Sequence, residues 1–152
     1  DTLLEAMKRV DIVVINDGEA SMLAGQENVV AAAKAVQHMA SIPTLIVKRG
    51  EHGVIALHGD DTIAMPSYPC PEVMDPTGCG DTFAGALAAC LASGEGKMTI
   101  EELRNALTHA TVTASFTLED FGTTILETIS QEAYQQRYKS FCDISGISVK
   151  SP

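Results

Sequence analysis

The chain has 152 residues, of which 45% are hydrophobic and 20% charged, and these proportions are ordinary for a globular protein with its own core. The formal net charge of −10 argues against binding to nucleic acid through the phosphate backbone and against binding to anionic membranes. No apolar run is long enough to span a bilayer, and no signal peptide is recognisable. The four cysteines are scattered, which is typical of reduced thiols in a cytoplasmic protein.

Apolar periodicity predicts alternating strands and helices in the first part of the chain, then a short β meander, then helices. After a helical pattern at the N-terminus, the predicted strands are 11–15, 43–47, 54–57 and 62–65, the last two forming a hairpin. The predicted later helices are 20–25, 29–39, 82–92, 100–115 and 130–139, and residues 66–71 form an extended segment. This order predicts one α/β domain over residues 1–152, with a mixed, largely parallel sheet and a flexible tail from about residue 143.

The most informative motif is Asp75-Pro-Thr-Gly-Cys-Gly-Asp-Thr-Phe-Ala-Gly-Ala86, which joins a glycine-bearing turn to a helix rich in small residues. Gly78 and Gly80 allow the backbone to bend and to approach a ligand closely, because glycine has no Cβ. The amides of residues 78–81 are the expected free donors at the start of the helix, where the helix dipole also favours an anion. Asp81 would lie beside that anion and accept a proton from an attacking hydroxyl group.

Simpler interpretations of the same residues remain open. Asp81 could be only a helix N-cap, and Asn16 with Glu19 has the spacing of a capping box. Asp75 before a proline is a common turn opener, and Lys48 is equally explained as a solvated charge at a strand end. Cys79 fits the role of a small space-filling residue, although a thiol at a helix N-terminus can also become reactive.

Taken together, the motifs make the chain resemble the C-terminal half of a ribokinase-like sugar kinase of the PfkB family. Three segments carry the resemblance, namely 16–19, 47–53 and 75–86, and the segment 114–122 matches more weakly. The resemblance implies a three-layer α/β/α ribokinase-like fold with a mostly parallel sheet, of which this chain is the nucleotide-binding half. In relatives the other half supplies most sugar contacts and a β lid.

The resemblance also implies roles for single residues. Asp81 matches the catalytic base, which takes a proton from a hydroxymethyl group of the substrate. The positions that match the anion hole and the surroundings of the nucleotide phosphates are Gly78, Cys79, Gly80, Lys48 and Gly50. Two of these depart from the usual pattern, because position 79 is commonly a small residue such as Ala and position 48 is commonly Thr.

Residues with side-chain oxygens are the expected ligands of the cations in the site. Asn16 and Glu19 match the element that organises Mg²⁺, often through water, and Asp75 and Thr77 match positions that often hold a monovalent cation such as K⁺. The expected ligands are therefore ATP or ADP with Mg²⁺, K⁺ as a further cofactor, and a small sugar or nucleoside. Nucleic acid and membranes are not expected partners, and a homodimer is left open.

The function expected from the resemblance is transfer of the γ-phosphate of ATP to a hydroxymethyl group of a sugar or nucleoside. A nucleotide-binding or regulatory module without complete catalytic machinery is the main alternative. A pyrimidine-alcohol kinase of the same superfamily ranks lower, because such relatives can carry Cys where this chain has Asp81. A purely structural α/β domain would leave the junction of glycines and Asp81 unexplained.

Overall fold

The computed structural model describes residues 2–94, 98–121 and 124–148. They form two compact units, Asp1–Ser67 and Tyr68–Pro152. The expectation of a single domain therefore stays a prediction. No helix in the described ranges combines the length and the apolar character that crossing a membrane requires.

The first unit contains three helices and four strands, close to the predicted order. They are α1 (Thr2–Met7), β1 (Ile12–Asn16), α2 (Asp17–Ala24), α3 (Val29–Ala40), β2 (Thr44–Lys48), β3 (Val54–His58) and β4 (Asp61–Met65). The ends of the helices have local causes. Asn28 caps α3 by accepting hydrogen bonds from the amides of Val30 and Ala31, and Gly25 ends α2 in the left-handed conformation.

The four strands form one mixed sheet in the order β1-β2-β3-β4. The pairing of β1 with β2 is parallel, because the connection through α2 and α3 is long enough for a crossover. The other two pairings are antiparallel. Only residues 49–53 separate β2 from β3, and a two-residue turn with Gly59 at φ +57° joins β3 to β4. The mixed sheet agrees with the prediction, but these four strands are less parallel than expected because of the two short connections.

One side of the sheet carries the core of this unit. Alternate residues of β2 and β3 contribute Leu45, Val47, Ile55 and Leu57, all almost fully buried. Helix α3 covers them with fully buried small residues, and small side chains let a helix approach a sheet closely. The full set from α3 is Ala32, Ala33, Val36 and Ala40. This packing fixes the carboxyl ends of β1 and β2, where four of the candidate site residues lie.

The second unit is helical. Its helices are α4 (Cys79–Ala92), α5 (Ile100–Thr117), α6 (Thr124–Thr128) and α7 (Gln131–Ser145). Helix α4 packs along α5, and α7 also packs on α5. Two capped ends agree with the sequence: Thr99 and Glu102 form a capping box at the start of α5, and the Ser130 side chain caps α7.

Three features of this unit differ from the prediction. Helix α4 begins three residues earlier than expected, so that residues 79–81 belong to its first turn. The short helix α6 was not expected, because it contains little more than one turn and has no strong periodicity. Helix α7 continues to Ser145 before Gly146 ends it, so the predicted flexible tail is helical at 143–145, and its residues 149–152 lie outside the described ranges.

Candidate active site

The turn before α4 is built by Asp75 and Gly78. Asp75 Oδ1 accepts a hydrogen bond of 2.9 Å from the amide of Thr77, which closes an Asx turn. Hydrogen bonds from the Thr77 side chain and amide lower the pKa of Asp75, so its carboxylate stays ionised. Gly78 then takes the left-handed conformation, with φ at +81°, and serves as the N-cap residue of α4. A residue with a Cβ would be strained at this φ.

Two main-chain amides at the start of α4 are open. The amide of Cys79 donates to the carbonyl oxygen of Pro76 at 3.2 Å, and that of Thr82 donates to Gly78 at 2.8 Å. Between them, the amides of Gly80 and Asp81 reach no acceptor among the described residues. Free amides in the first turn of a helix, with the dipole behind them, form a site that can bind an anion. The donors are therefore available in this structure, although the Cys79 amide is already used.

Asp81 stands beside these donors with an unused carboxylate. It is the third residue of α4 and is exposed, and its side chain has no ion pair or hydrogen bond within the described ranges. Because Gly78 is the N-cap and no side chain bonds there, the interpretation of Asp81 as the helix cap is wrong. A carboxylate in the first helical turn interacts favourably with the helix dipole. Asp81 can thus accept a proton without first breaking a contact.

Sequence reasoning missed the residues of α5 that hold this turn. Cys79 Sγ donates to the carbonyl oxygen of Ala114 at 3.6 Å, so this thiol packs against α5. The Thr117 hydroxyl donates to that of Thr82 at 3.1 Å, and the amide of Met74 donates to the carbonyl oxygen of Leu118 at 2.8 Å. Partners more than 30 residues apart leave no local motif, and only the weak match at 114–122 pointed to this segment. The last residue of that match, 122, lies outside the described ranges.

In the first unit, Asn16 and Glu19 form the capping box of α2. The Asn16 side chain accepts from the Glu19 amide at 2.7 Å, and Glu19 Oε2 accepts from the Asn16 amide at 2.8 Å. The capping interpretation of this motif is therefore confirmed. It does not exhaust the chemistry of the pair, because Glu19 Oε1 makes no protein contact within the described ranges.

Lys48 lies next to Asn16 in the sheet. The two residues are register partners and end the parallel strands β2 and β1. Ligands of open α/β sheets bind beyond the carboxyl ends of parallel strands, so this edge is the expected place for charged and oxygen-bearing groups. Lys48 forms no salt bridge in the described part of the chain. Its ammonium group is therefore available to a negatively charged ligand.

Gly50 and Gly53 shape the loop that follows Lys48. Gly50 has φ +54°, and Gly53 has φ +85°. A Cβ on Gly53 would lie 2.1 Å from the carbonyl oxygen of Met65, so only glycine fits there. The loop is closed by a hydrogen bond of 2.8 Å from the amide of Arg49 to the carbonyl oxygen of Gly53. Gly50 has open space where its Cβ would be, so its positive φ is the reason for glycine at that position.

The predicted site residues fall into two groups, one in each unit. Asn16, Glu19, Lys48 and Gly50 share one edge of the first unit, and residues 75–81 are consecutive in the second. Within the described residues, no group of three or more His, Cys, Asp or Glu side chains could hold a metal ion by itself. Carboxylate and hydroxyl oxygens are suitable ligands for hard cations, and such groups are present at Glu19 in the first unit and at Asp75 and Thr77 in the second.

Comparison with proteins of known sequence points to kinases. A cytidine kinase from Thermococcus kodakarensis is 40% identical over 96 residues, which cover 62% of this chain and 34% of that protein. The bifunctional protein HldE of Pseudomonas aeruginosa is 37% identical over 101 residues, covering 66% of this chain and 20% of that protein. The chain thus spans about a fifth to a third of the length of these curated relatives.

Solved structures show the same fold. Fructokinase from Vibrio cholerae O395, with fructose, ADP and a calcium ion bound, superposes with a TM-score of 0.80 and 21% identity over 90% of this chain and 44% of that one. Ribokinase from Thermotoga maritima gives a TM-score of 0.73 at 23% identity, covering 90% of this chain and 44% of that one. The predicted ribokinase-like α/β fold is therefore confirmed. A family model described as "pfkB family carbohydrate kinase" matches residues 1–129. The chain belongs to the pfkB family of carbohydrate kinases.

Proposed function

We propose that this chain supplies the phosphate-binding and proton-accepting part of a kinase that transfers the γ-phosphate of ATP to a hydroxymethyl group of a sugar or nucleoside. The observation that carries the proposal is the start of α4. Two unbonded amides, those of Gly80 and Asp81, lie beside an exposed carboxylate that has no protein partner in the described ranges. An anion site next to a free proton acceptor is what phosphoryl transfer to an alcohol needs.

Asp81 would act late in the reaction. An ordinary Asp has a pKa of about 3.9, whereas the pKa of an alcohol is close to that of water, about 15.7. The carboxylate is therefore too weak a base to ionise the hydroxyl group before attack. Phosphoryl transfer passes through a loose transition state, so the proton can leave as the new bond from oxygen to phosphorus forms. Asp81 then orients the hydroxyl group and receives its proton.

The amides of Gly80 and Asp81 would stabilise the charge on the transferring phosphoryl group. Such donors are held in place by the helix and need not reorganise during the reaction, which is why preorganised amides are effective. The Asx turn at Asp75 and the left-handed Gly78 fix the direction in which the helix starts. The anion hole predicted at Gly78-Cys79-Gly80 would thus use the amides of Gly80 and Asp81, because the Cys79 amide already donates to Pro76 and its thiol packs against α5.

The residues of the first unit would contribute charge. Lys48 offers a point charge for the phosphates, and Gly50 keeps the following loop open for a close approach of the backbone. Asn16 and Glu19 would help to hold Mg²⁺ through water. In the second unit, Asp75 with Thr77 would hold a monovalent cation such as K⁺. When bound, Mg²⁺ neutralises part of the charge of the nucleotide phosphates.

The class of acceptor is supported by the relatives. They include a cytidine kinase and a fructokinase solved with fructose and ADP, so both nucleosides and sugars occur among the acceptors of related proteins. A hydroxymethyl group is common to both classes, and it is the group that a carboxylate base and an anion hole can serve.

The proposal is tested with the purified chain in two assays. Calorimetric titration with ADP and with inorganic phosphate measures the anion site, and incubation of MgATP with fructose, ribose or cytidine measures transfer. We expect both ADP binding and transfer to at least one acceptor. Binding without transfer to any acceptor would favour the alternative of a nucleotide-binding module. If neither ADP nor phosphate binds, the proposed anion site is wrong.

A further inference from the structure

Arg137, in the middle of α7, is held by three neighbours at the end of α5. Its Nη2 donates to Glu119 Oε1 at 2.6 Å, and its Nη1 donates to Ser115 Oγ at 3.2 Å. Its Cζ lies 3.6 Å from the centroid of the Phe116 ring. The side chain is only 15% exposed. One guanidinium group therefore fixes residues 115–119 through an ion pair, a hydrogen bond and a cation–π contact.

The same stretch of α5 holds the turn that carries the anion site. Three hydrogen bonds join residues 114, 117 and 118 to Cys79, Thr82 and Met74 respectively. Met74 lies before α4, and Cys79 and Thr82 lie in its first turn. Each of the three joins a residue of 74–82 to a residue of 114–118. A shift at the end of α5 would consequently move both sides of the open amides of Gly80 and Asp81.

Cys70 contacts the same part of α5 as Arg137 and Cys79. Burial raises the pKa of the Cys70 thiol. The charge of Arg137 lowers this pKa, and the charges of Glu119 and Cys79 raise it. Cys70 Sγ in turn donates to the carbonyl oxygen of Ser115 at 3.8 Å, one residue from the acceptor of the Cys79 thiol. The cluster around Arg137 is thus continuous with the packing under Cys79.

A second ion pair on α7 shows what an ordinary surface pair looks like. Lys139 binds Asp143 within the same helix, and the two side chains are 79% and 66% exposed. Such pairs contribute little and position nothing outside the helix. Arg137 differs because its partners belong to another helix, and because a planar guanidinium can bond to two acceptors and stack on a ring at once.

We propose that Arg137 is a positioning residue for the phosphate-binding turn. It touches no ligand itself; it holds residues 115–119, which in turn hold the backbone on either side of Gly80 and Asp81. This inference rests on the proposed function where it concerns phosphate, but the positioning of the turn is a property of the chain alone. The two parts can therefore fail separately.

The test compares the full chain with Arg137→Met, which removes the charge and the donors, and with Arg137→Lys, which keeps the charge but lacks the planar fork. Lys139→Met is the matched control on the same helix. Leu103→Val is a control for stability alone, because Leu103 is buried near the opposite end of α5. The readouts are ADP affinity, thermal stability, and hydrogen exchange at the amides of Met74 and Thr82, compared with amides elsewhere in α4 and α7.

We expect Arg137→Met to weaken ADP binding about tenfold while the protein is folded, and to speed exchange at Met74 and Thr82 more than elsewhere. Arg137→Lys should fall between this variant and the parent chain. Both controls should leave affinity within about twofold, even where Leu103→Val lowers thermal stability. If Arg137→Met does not fold, Arg137→Lys and Glu119→Gln carry the same comparison.

The inference is overturned if a folded Arg137 variant binds ADP as the parent does and exchanges uniformly. A change in stability with equal exchange throughout the unit would show a structural role only. If the parent chain binds no ADP, the proposed function fails, and exchange at Met74 and Thr82 still decides whether Arg137 positions the turn.

Discussion

The carboxylate of Asp75 accepts a hydrogen bond of 2.9 Å from the amide of Thr77, immediately before the chain turns at Gly78 into α4. The Thr77 side chain also bonds to this carboxylate, and it is the larger cause of the lowered pKa of Asp75. The turn that precedes the open amides is thus tied by a group that remains charged at neutral pH. The hydrogen bonds between Asp75 and Thr77 therefore help to set the direction in which α4 begins.

Removing the Thr77 hydroxyl group should change the titration of Asp75. We expect Thr77→Val to raise the pKa of Asp75 towards its ordinary value, with the amide bond still holding it somewhat below. Because the pKa is lowered in the folded state, ionised Asp75 stabilises the fold above its unfolded pKa of about 3.9, and this contribution is lost as the pH falls through the folded value. Carboxyl NMR measures the shift, with the exposed Thr62→Val as control. An unchanged Asp75 pKa would contradict the assignment of the bond.

The two glycines of the turn should respond differently to substitution by alanine. Gly78 has a positive φ and Gly80 does not, so only Gly78→Ala introduces backbone strain. We expect Gly78→Ala to lower the free energy of unfolding by about 1 kcal/mol. Gly80→Ala should keep or raise stability, since alanine favours helix, but should weaken ADP binding about tenfold because a Cβ obstructs the anion site.

Gly85→Ala is the control for this pair. It lies in the same helix, is exposed and has open space at its Cβ position. It should stabilise the chain as Gly80→Ala does, and leave ADP affinity unchanged. Urea denaturation and calorimetry supply both quantities for the three variants. Equal ADP affinities for Gly80→Ala and Gly85→Ala would show that the ligand does not approach Gly80.

Much of the fold could be predicted from the sequence because its signals are local. The β-branched runs of β1 and β2, the turn at Gly59 and the cap at Asn16 each depend on a few neighbouring residues. The predicted sheet is more parallel than the observed one, because the resemblance of residues 47–53 to a strand-turn segment beside the nucleotide does not indicate the direction of the strand that follows this segment. The shortness of the segment 49–53, which Gly53 permits, reverses the direction of β3.

The local geometry of the site could be predicted from its motif, but the contacts that hold it in place could not. The order of residues 75–81 predicted a turn, an anion site and a helix start, and the observed Gly78 cap explains why the helix begins at Cys79 rather than after Asp81. The contacts that hold the turn could not be predicted, because Arg137 matches no pattern and the weak match at 114–122 does not show which residues Thr117 and Glu119 contact. Tertiary packing alone brings them together.

The role of Glu19 can be separated from its capping role by a conservative change. Gln can replace Glu in a capping box, so Glu19→Gln should change the free energy of unfolding by less than about 0.5 kcal/mol. Glu102→Gln makes the same change in the capping box of α5, away from the candidate site. We expect only Glu19→Gln to raise, by about threefold or more, the Mg²⁺ concentration needed for half-maximal binding of ADP. Identical Mg²⁺ dependence in the two variants would leave Glu19 with its capping role alone.

The central claim is tested most directly by the Asp81→Asn variant, assayed for transfer from MgATP to the best acceptor of the parent chain. Asn keeps the size of the side chain but cannot take the proton, so we predict a fall in kcat of about 10²–10⁴-fold with ADP affinity within about threefold of the parent. Near-normal turnover by Asp81→Asn would contradict the account.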